Sequence, residues 1–281
     1  MSRLLTRLRA SLDDLSPVQR RVAQYVLDHP DAVIFHSVTE LAEATRSSEG
    51  SIIRFCQDLG YSGFQEFKLA LAVELDPPSR ADRAAPGAAV DDLDENLMSA
   101  LADRASAAMH DTANLFEVDA FKVVAQRLAA AARVDIYGVG ASGVVAQYFA
   151  YKLVRLGVTV QAYSDMHLGA MSASNLGVGD VAIGVSSSGS TLDTLLALRA
   201  AKEAGAFTVA VTNRLKSPLA KVADRSLFAS PPESPLTGGD VFAKIGQLLV
   251  LEALTRLMIA ADEGMLDAVQ RTARVVADRN M

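Results

Sequence analysis

Short apolar runs alternate with helix-like patterns through the second half of the chain. Five runs have the length and composition of buried strands, and between them apolar side chains return every three or four positions. The runs lie at residues 134–137, 158–163, 181–185, 207–212 and 226–229. Strands that alternate with helices pair in parallel, so the pattern predicts an α/β domain with a five-stranded parallel sheet flanked by helices. A long apolar helix over residues 241–258 and a charged tail follow the last strand.

The first 75 residues carry only helical patterns. Helices are predicted over residues 3–10, 17–29, 38–44, 48–59 and 63–75, with Ser16, Ser37 and Ser48 as N-caps. The two short helices over residues 38–44 and 48–59 are joined by a tight turn. That arrangement matches a helix-turn-helix, whose second helix lies in the major groove of DNA.

The charge of this region leaves the helix-turn-helix interpretation open. Residues 1–75 carry eight arginines and lysines against ten acids, whereas phosphate neutralisation normally dominates affinity for DNA. An ordinary helical bundle without nucleic acid fits the same pattern. If the region binds DNA, the residues that face the bases begin at Ser48, Glu49, Gly50, Ser51 and Ile52, with Arg54 one turn further on.

A change of composition separates the two halves of the chain. Proline, glycine, alanine and scattered charges dominate residues 77–94, which is typical of an exposed linker. We therefore predict an all-helical domain over residues 1–76, a linker over residues 77–94 and the α/β domain over residues 95–281. Two helices, near residues 93–115 and 118–131, precede the first strand.

The turn after the third strand is rich in hydroxyl groups. It contains Ser186, Ser187, Ser188, Gly189, Ser190 and Thr191, and a helix begins there. Ligands of parallel α/β sheets bind at the carboxyl ends of strands, and the N-terminus of a helix favours an anion. The turn therefore predicts a phosphate site that needs no lysine. A turn that only caps its helix is the alternative.

A second glycine-rich segment follows the first strand. Residues 138–143 read Gly-Val-Gly-Ala-Ser-Gly, the spacing of a dinucleotide-binding turn. That interpretation asks for an acid at the end of the next strand, and Asp165 fits it only loosely. Two other interpretations remain, a tight glycine turn and a loop that adds the Ser142 hydroxyl to the serine-rich turn.

Both halves together resemble the RpiR family of bacterial transcription regulators. The resemblance rests on Leu-Ala-Glu at 41–43, Ser-Glu-Gly-Ser-Ile-Ile-Arg-Phe-Cys at 48–56 and Leu-Gly-Tyr-Ser-Gly-Phe-Gln-Glu-Phe-Lys at 59–68. The second half is similar to the sugar isomerase (SIS) domain through Gly140, Ser142 and the serine-rich turn. The resemblance implies a winged-helix-like DNA-binding domain, a flavodoxin-like or Rossmann-like three-layer SIS domain that senses a sugar phosphate, and assembly as a dimer or tetramer.

The resemblance also assigns residues to each site. Contacts with operator DNA are expected from Ser37, Arg46, Ser48, Glu49, Ser51, Ile52, Arg54 and Lys68. Contacts with the sugar phosphate are expected from Gly140, Ser142, Ser186, Ser187, Ser188, Gly189, Thr191, His167 and Glu233. The chain departs from the family pattern in the helix-turn-helix, where Arg46 and Ser47 occupy the turn and Gly50 stands where alanine is usual.

An isomerase is the alternative function, because SIS domains also catalyse aldose–ketose isomerisation. That reaction needs a general base near the sugar, and residues 141–156 contain no Asp, Glu or His. Asp165, His167 and Glu233 are the remaining candidates, and ligand contacts suit His167 and Glu233 better than catalysis. We therefore expect a regulator without catalytic residues, metal or cofactor.

Composition places few further limits on the function. The formal net charge of −6 argues against a generally basic surface, and no apolar stretch is long enough to span a membrane. A single cysteine, Cys56, lies in an apolar helical run and fits a buried thiol in a reducing compartment. A cytoplasmic protein without a leader is expected.

Overall fold

The computed structural model describes residues 3–75, 97–231 and 239–277. The predicted linker over residues 77–94 and the candidate Glu233 lie outside the described residues. The chain divides into two compact units after Asp103. No helix among the described residues is both long and apolar enough to cross a membrane.

The first unit is built of helices, as the sequence predicts. They are α1 (Arg3–Ala10), α2 (Pro17–Asp28), α3 (Pro30–Val33), α4 (Val38–Ala44), α5 (Glu49–Asp58) and α6 (Phe64–Leu75), with a 3-10 turn at Leu12–Asp14. Leu8, Val22, Leu41, Phe55 and Phe67, from five different helices, are each at most 1% exposed. These side chains form one continuous core that fixes the helices against each other.

Side-chain caps define where the helices of this unit begin. The Ser37 hydroxyl accepts a hydrogen bond from the Glu40 amide at 3.1 Å, and the Glu40 carboxylate accepts one from the Ser37 amide at 2.7 Å. Ser16 and Gln19 form the same reciprocal box at the start of α2. The Ser48 hydroxyl accepts from the Ser51 amide at 3.2 Å and caps α5. All three predicted N-caps are therefore confirmed.

The turn between α4 and α5 contains a residue in left-handed backbone. Arg46 has a φ of 50°, a conformation that costs a non-glycine residue free energy. The guanidinium of Arg21 offsets this by donating to the carbonyl oxygens of Thr45 and Arg46, each at 3.2 Å. Arg46, one of the departures from the family pattern, therefore occupies a backbone conformation that glycine would adopt without strain.

The second unit contains the sheet. Its helices are α7 (Leu97–Asn114), which spans the division between the units, α8 (Val118–Ala129), α9 (Ala141–Arg155), α10 (Met166–Ala173), α11 (Leu192–Glu203), α12 (Pro218–Val222), α13 (Val241–Ala261) and α14 (Glu263–Ala277). Its strands are β1 (Val134–Tyr137), β2 (Val160–Tyr163), β3 (Val181–Ser186), β4 (Phe207–Thr212) and β5 (Arg225–Phe228). The strand order is β2-β1-β3-β4-β5 and every pairing is parallel. The prediction of a five-stranded parallel sheet is confirmed.

Helices cover both faces of the sheet. Ile136 of β1 points to a core formed with α8, α9, α13 and α14, whereas the next residue, Tyr137, points to a core formed with α10, α11 and α12. Because helices cover both faces, β3 and β4 are buried along almost their whole length, whereas the edge strands β2 and β5 are partly exposed. Chain order reverses between β1 and β3, and ligands of such sheets bind at that switch point.

Helices α3 and α14 were absent from the predicted pattern, whereas α10 and α12 were expected as helices between the strands but without bounds. Helices α3, α10 and α12 have at most eight residues, too few for a clear periodicity. The predicted charged tail is wrong, because most of it forms α14, which buries Met265 and Ala268 against the rest of the unit.

A buried carboxylate fixes α10 to the sheet. Asp135 of β1 is 0% exposed and accepts hydrogen bonds from Arg133 Nε at 2.9 Å and from the Tyr137 hydroxyl at 3.2 Å. The Ser172 hydroxyl of α10 donates to the same carboxylate at 2.5 Å. Burial, together with the adjacent Asp135, raises the pKa of Tyr137, so its hydroxyl stays protonated and donates.

Candidate functional site

The serine turn, residues 186–191, lies at the carboxyl edge of the sheet. It leaves β3 at the switch point and leads into α11, with Thr191 in the N-cap position. The backbone donors at the start of a helix are unpaired within the helix and favour an anion in front of it. The structure therefore places the predicted turn where the sheet predicts a ligand.

Several hydroxyls of the serine turn hold the turn itself. The Ser186 hydroxyl accepts from the Gly189 amide at 3.1 Å and lies 3.0 Å from the Thr191 hydroxyl oxygen. The Ser188 hydroxyl accepts from the Ser190 amide at 3.2 Å. These bonds give the turn a defined shape without a ligand. The hydroxyls of the turn are thus not equivalent.

Glycine is required at one position of the turn. Gly189 has a φ of 60°, and a Cβ there would lie 2.2 Å from Ser217 Oγ and 2.9 Å from Thr212 Oγ1. The Gly189 carbonyl also accepts a hydrogen bond from the Leu219 amide at 2.9 Å. The role of Gly189 is therefore to let the turn approach the start of α12 closely.

Ser187 faces α13 rather than its own turn. Its hydroxyl oxygen accepts hydrogen bonds from Lys244 Nζ and from Gln247 Nε2, the latter at 3.1 Å. A serine hydroxyl has two acceptor sites and one proton. With both acceptor sites occupied, the Ser187 proton is left to donate to a further group, which suits an anion.

The loop after β1 brings Ser142 to the same place. Lys244 Nζ lies 3.5 Å from Ser142 Oγ, so one ammonium group connects the loops after β1 and β3. The loop is tight, because a Cβ on Gly138 would lie 2.7 Å from the Ser142 carbonyl oxygen. Gly140 starts α9 at a φ of 58°. Of the interpretations of this glycine segment, the geometry favours the one in which Ser142 joins the serine turn.

Sequence reasoning missed Lys244. It stands in the first turn of a long apolar helix, and no sequence motif marks it. Because the predicted phosphate site needed no lysine, Lys244 was not among the predicted ligand residues. Only the packing of the start of α13 against the carboxyl edge brings this side chain to Ser142 and Ser187.

Among the described residues, no hydrogen bond joins His167, another predicted ligand residue, to this cluster. His167 is exposed in the first turn of α10, and its amide donates to the Asp165 carboxylate at 2.9 Å. Asp165 caps α10, which accounts for its carboxylate without a dinucleotide. Within the described ranges, no group of three or more His, Cys, Asp and Glu is arranged to hold a metal ion.

The exposed start of α5 forms the candidate DNA surface. Ser16, Gln19, Ser48, Ser51 and Arg54 line an open cleft of about 570 Å³ between the starts of α2 and α5. Arg46 and Arg54 are exposed, and the carboxylate of Glu49 accepts from the Thr39 hydroxyl at 2.6 Å. Gly50 has room for a methyl group, since the nearest atom to a Cβ there is Ser48 Oγ at 3.9 Å.

Three of the residues predicted to contact DNA have buried side chains. Ile52 is 0% exposed in the core of the first unit, whereas its neighbour Ile53 is 40% exposed. Lys68 is 3% exposed, and its ammonium donates to the His36 carbonyl at 2.9 Å and lies over the Phe64 ring. Ser37 is 2% exposed and acts in the capping box of α4.

Family models match both halves of the chain. Residues 2–78 match the helix-turn-helix domain of the rpiR family and residues 127–257 match the SIS domain. An HTH-type transcriptional regulator of Caldanaerobacter subterraneus is 37% identical over 100% of this chain and 99% of its own length. The chain belongs to the RpiR family of transcriptional regulators. The HTH-type transcriptional regulator RpiR of Escherichia coli is 31% identical over 88% of this chain and 82% of its own.

Two solved structures share the fold of this chain or of its second half. The Vibrio vulnificus NanR protein complexed with ManNAc-6P has a TM-score of 0.90 and 35% identity, covering 99% of this chain and 100% of that one. The sugar isomerase domain of an RpiR transcription factor from Sphaerobacter thermophilus has a TM-score of 0.57 and 24% identity, over 64% of this chain and 99% of that one. The second match shows the SIS fold alone. This RpiR-family chain is therefore a DNA-binding regulator with a SIS domain.

Proposed function

We propose that this regulator binds a phosphorylated sugar in its SIS domain and that binding changes its affinity for operator DNA. The observation that carries the proposal is the cluster of Ser142, Ser187 and Lys244 at the switch point of the sheet. A cation and hydroxyl donors at the start of two helices are the chemistry that a phosphate dianion requires. The relative NanR, complexed with ManNAc-6P, supports the choice of a sugar phosphate.

In this proposal each residue has a distinct part. Lys244 supplies the charge, Ser142 and Ser187 donate hydroxyl hydrogen bonds, and the amides at the start of α11 complete the phosphate site. Ser186, Ser188 and Thr191 hold the shape of the turn. One of the Ser186 and Thr191 hydroxyls donates to the other, which leaves one proton of this pair and the Ser188 proton for the ligand. His167 and Glu233 stay candidates for contacts with the sugar.

The proposed DNA contact uses the exposed start of α5. Ser48, Ser51 and Arg54 are placed to meet base edges and phosphates, with Arg46 in the preceding turn and Glu49 beside them. The exposed Ile53 replaces Ile52 as the apolar candidate. The cytoplasm remains the predicted location of the protein, because the proposed operator DNA is there.

Catalysis is not part of the proposal. Helix α9, which opens the site, contains no Asp, Glu or His among residues 141–155 that would act as a general base. Lys244 is a donor beside two hydroxyls, which suits binding of the phosphate rather than proton transfer at carbon. An isomerase remains the alternative outcome of the experiment below.

Self-association is also proposed, as a dimer or tetramer. One face of α9 exposes Val144, Tyr148 and Tyr151 at 68%, 42% and 57%. Three large apolar side chains at helical spacing on one solvent-facing side suit contact with a second copy of the chain. A dimer would present two helix-turn-helix units to the two halves of an operator. Light scattering of the wild type and of Tyr148→Glu tests it, with a lower mass expected for the variant and an unchanged mass counting against this face.

The experiment for the whole proposal is fluorescence anisotropy with the DNA upstream of the chain's own gene. Salt is titrated first, and then sugar phosphates are added beside the same sugars without phosphate. Binding that weakens with salt and responds only to one phosphorylated sugar supports the regulator. Consumption of a sugar phosphate without specific DNA binding would instead support an isomerase.

A further inference from the structure

A chain of buried hydrogen bonds leads from the serine turn to helix α7. Gln247 of α13 is 0% exposed, and its Nε2 donates both to Ser187 Oγ at 3.1 Å and to Asn213 Oδ1 at 2.8 Å. Asn213 Nδ2 in turn donates to the Pro231 carbonyl at 2.9 Å. Two amide side chains, Gln247 and Asn213, thus join the turn after β3 to the segments after β4 and β5.

The segment after β5 is bonded to α7 through a single threonine. The Thr112 hydroxyl accepts from the Ser230 amide at 3.0 Å and lies 3.2 Å from the Ser230 carbonyl oxygen. Thr112 is 4% exposed and also donates to the Ala108 carbonyl of its own helix at 2.7 Å. Thr112 and Ser230 both belong to the second unit, and α7 is the helix that continues into it from the first unit.

Helix α13 touches the same segment with its backbone. A Cβ on Gly246 would lie 2.3 Å from the Ser230 carbonyl oxygen and 2.7 Å from Thr112 Oγ1. No side chain lies between helix and segment, so a small displacement of α13 reaches Ser230 and Thr112 without being absorbed by rotamer changes. Lys244 and Gln247 are three residues apart and therefore share one face of α13.

We propose that Gln247 is a positioning residue that couples the occupied phosphate site to α7 through Asn213, Ser230 and Thr112. The proposal rests on the proposed function and names its regulation. A phosphate that draws Lys244 and Ser187 toward itself changes the bonds on the Gln247 face of α13. Gly246 and Asn213 then carry that change to the Ser230–Pro231 segment and to Thr112.

One buried acceptor marks this network as poised for a change of partners. Gln247 Oε1 has no hydrogen-bond partner among the described residues, although its side chain is fully buried. An unpaired buried acceptor is costly. A small shift of α13 that brings a donor to Gln247 Oε1 would therefore lower the free energy of the shifted position of the helix. Coupling between two sites requires an element with two such positions.

The test measures coupling separately from binding. Thr112→Val keeps the shape of the side chain and removes its hydroxyl, and Thr255→Val is the matched control. Thr255 is 1% exposed and donates only within α13, to the Glu252 carbonyl at 2.8 Å. ManNAc-6P is the first probe, followed by the phosphorylated sugar to which the wild type responds. Calorimetry gives the affinity for the probe, and anisotropy gives the operator affinity with and without it.

Thr112→Val is expected to bind the probe with an affinity within about twofold of the wild type. The coupling factor, which is the ratio of operator affinities with and without the probe, is expected to fall by at least about fivefold, the low end of usual allosteric couplings. Thr255→Val is expected to keep both quantities. Gln247→Met is expected to weaken probe binding and coupling together, because it acts on Ser187 directly. A Thr112→Val protein with wild-type coupling overturns the inference. A wild type that binds DNA but responds to no sugar phosphate overturns the proposed function itself.

Discussion

The ammonium group of Lys244, in α13, donates a hydrogen bond to the hydroxyl of Ser187, in the turn after β3. The two residues are 57 positions apart. Since the same ammonium lies 3.5 Å from Ser142 Oγ, it holds three separate segments at one point. The positive charge of the site is therefore placed before any ligand arrives.

Replacing Lys244 is expected to weaken effector binding strongly. A hydrogen bond to a charged group contributes about 1.5–3 kcal/mol, so Lys244→Ala should raise the dissociation constant of the sugar phosphate about 10- to 100-fold. Calorimetry measures it. Lys122→Ala, which removes an exposed lysine from α8, is the control. Equal affinity of Lys244→Ala and wild type would remove Lys244 from the site.

Replacing Arg54 is expected to weaken operator binding and its salt dependence. If its guanidinium contacts a phosphate, Arg54→Ala lowers the slope of log affinity against log salt by about one. Anisotropy at several salt concentrations measures this slope. The affinity for sugar phosphate should not change, because Arg54 belongs to the first unit. An operator affinity equal to that of the wild type would show that Arg54 does not contact the DNA.

Arg46→Gly is expected to separate stability from DNA binding. Glycine removes a penalty of about 1–2 kcal/mol for left-handed backbone but adds about 0.5–1 kcal/mol of unfolded-state entropy. The balance predicts a free energy of unfolding that is about 0.5 kcal/mol higher, measurable by urea titration. Operator affinity should fall at the same time, because a cation is lost. A variant that is less stable would mean that the Arg46 side chain itself holds the turn.

The thiol of Cys56 is expected to resist alkylation in the folded protein. Burial raises the pKa of Cys56 to about 12, and the thiolate is the reactive form. A thiol reagent at pH 8 should therefore label the chain only after denaturant is added. Rapid labelling of the native protein would contradict the burial of Cys56 in the first unit.

The ion pair between α9 and α13 predicts a pH dependence of stability. The hydrogen bond from Lys152, at 2.8 Å, lowers the pKa of Glu252, and Arg256 adds to the effect. A carboxylate with a lowered pKa stabilises the fold above its ordinary pKa, and this stabilisation is lost as pH falls through the folded value. Glu252→Gln should cost at most about 1 kcal/mol at pH 7 and less as the pH approaches 3. Glu203→Gln, at the exposed end of α11, is the control, and a constant difference at all pH values would contradict the assignment.

The fold could be predicted from the sequence where periodicity is strong. The residue ranges of β1 and β4 were predicted as observed, because buried parallel strands give short, mostly apolar runs, here interrupted by Asp135 in β1 and by Thr208 in β4. The N-caps of α2, α4 and α5 were also predicted, since each is a local sequence pattern. Helix α14 was missed because its amphipathic pattern is mixed with many charges.

The candidate site could be predicted only in its local parts. The serine turn and the loop with Ser142 are contiguous in sequence and were both found. Lys244 and Gln247 reach the turn through the packing of a distant helix, which no spacing rule describes. Ile52 and Lys68 were expected at the DNA surface but are buried, because helical position alone does not tell which side of a helix the core covers.

All five strands run in one direction, so every loop that follows a strand opens at the same edge. The groups proposed to bind the phosphate come from the loops after β1 and β3 and from Lys244 of α13, whereas His167, proposed to contact the sugar, follows β2. In the proposed site, recognition of the charged group and recognition of the rest of the sugar would therefore be encoded separately. We expect that substitutions in the loop after β2, with the sheet and the serine turn left as they are, would redirect such a regulator to another sugar phosphate.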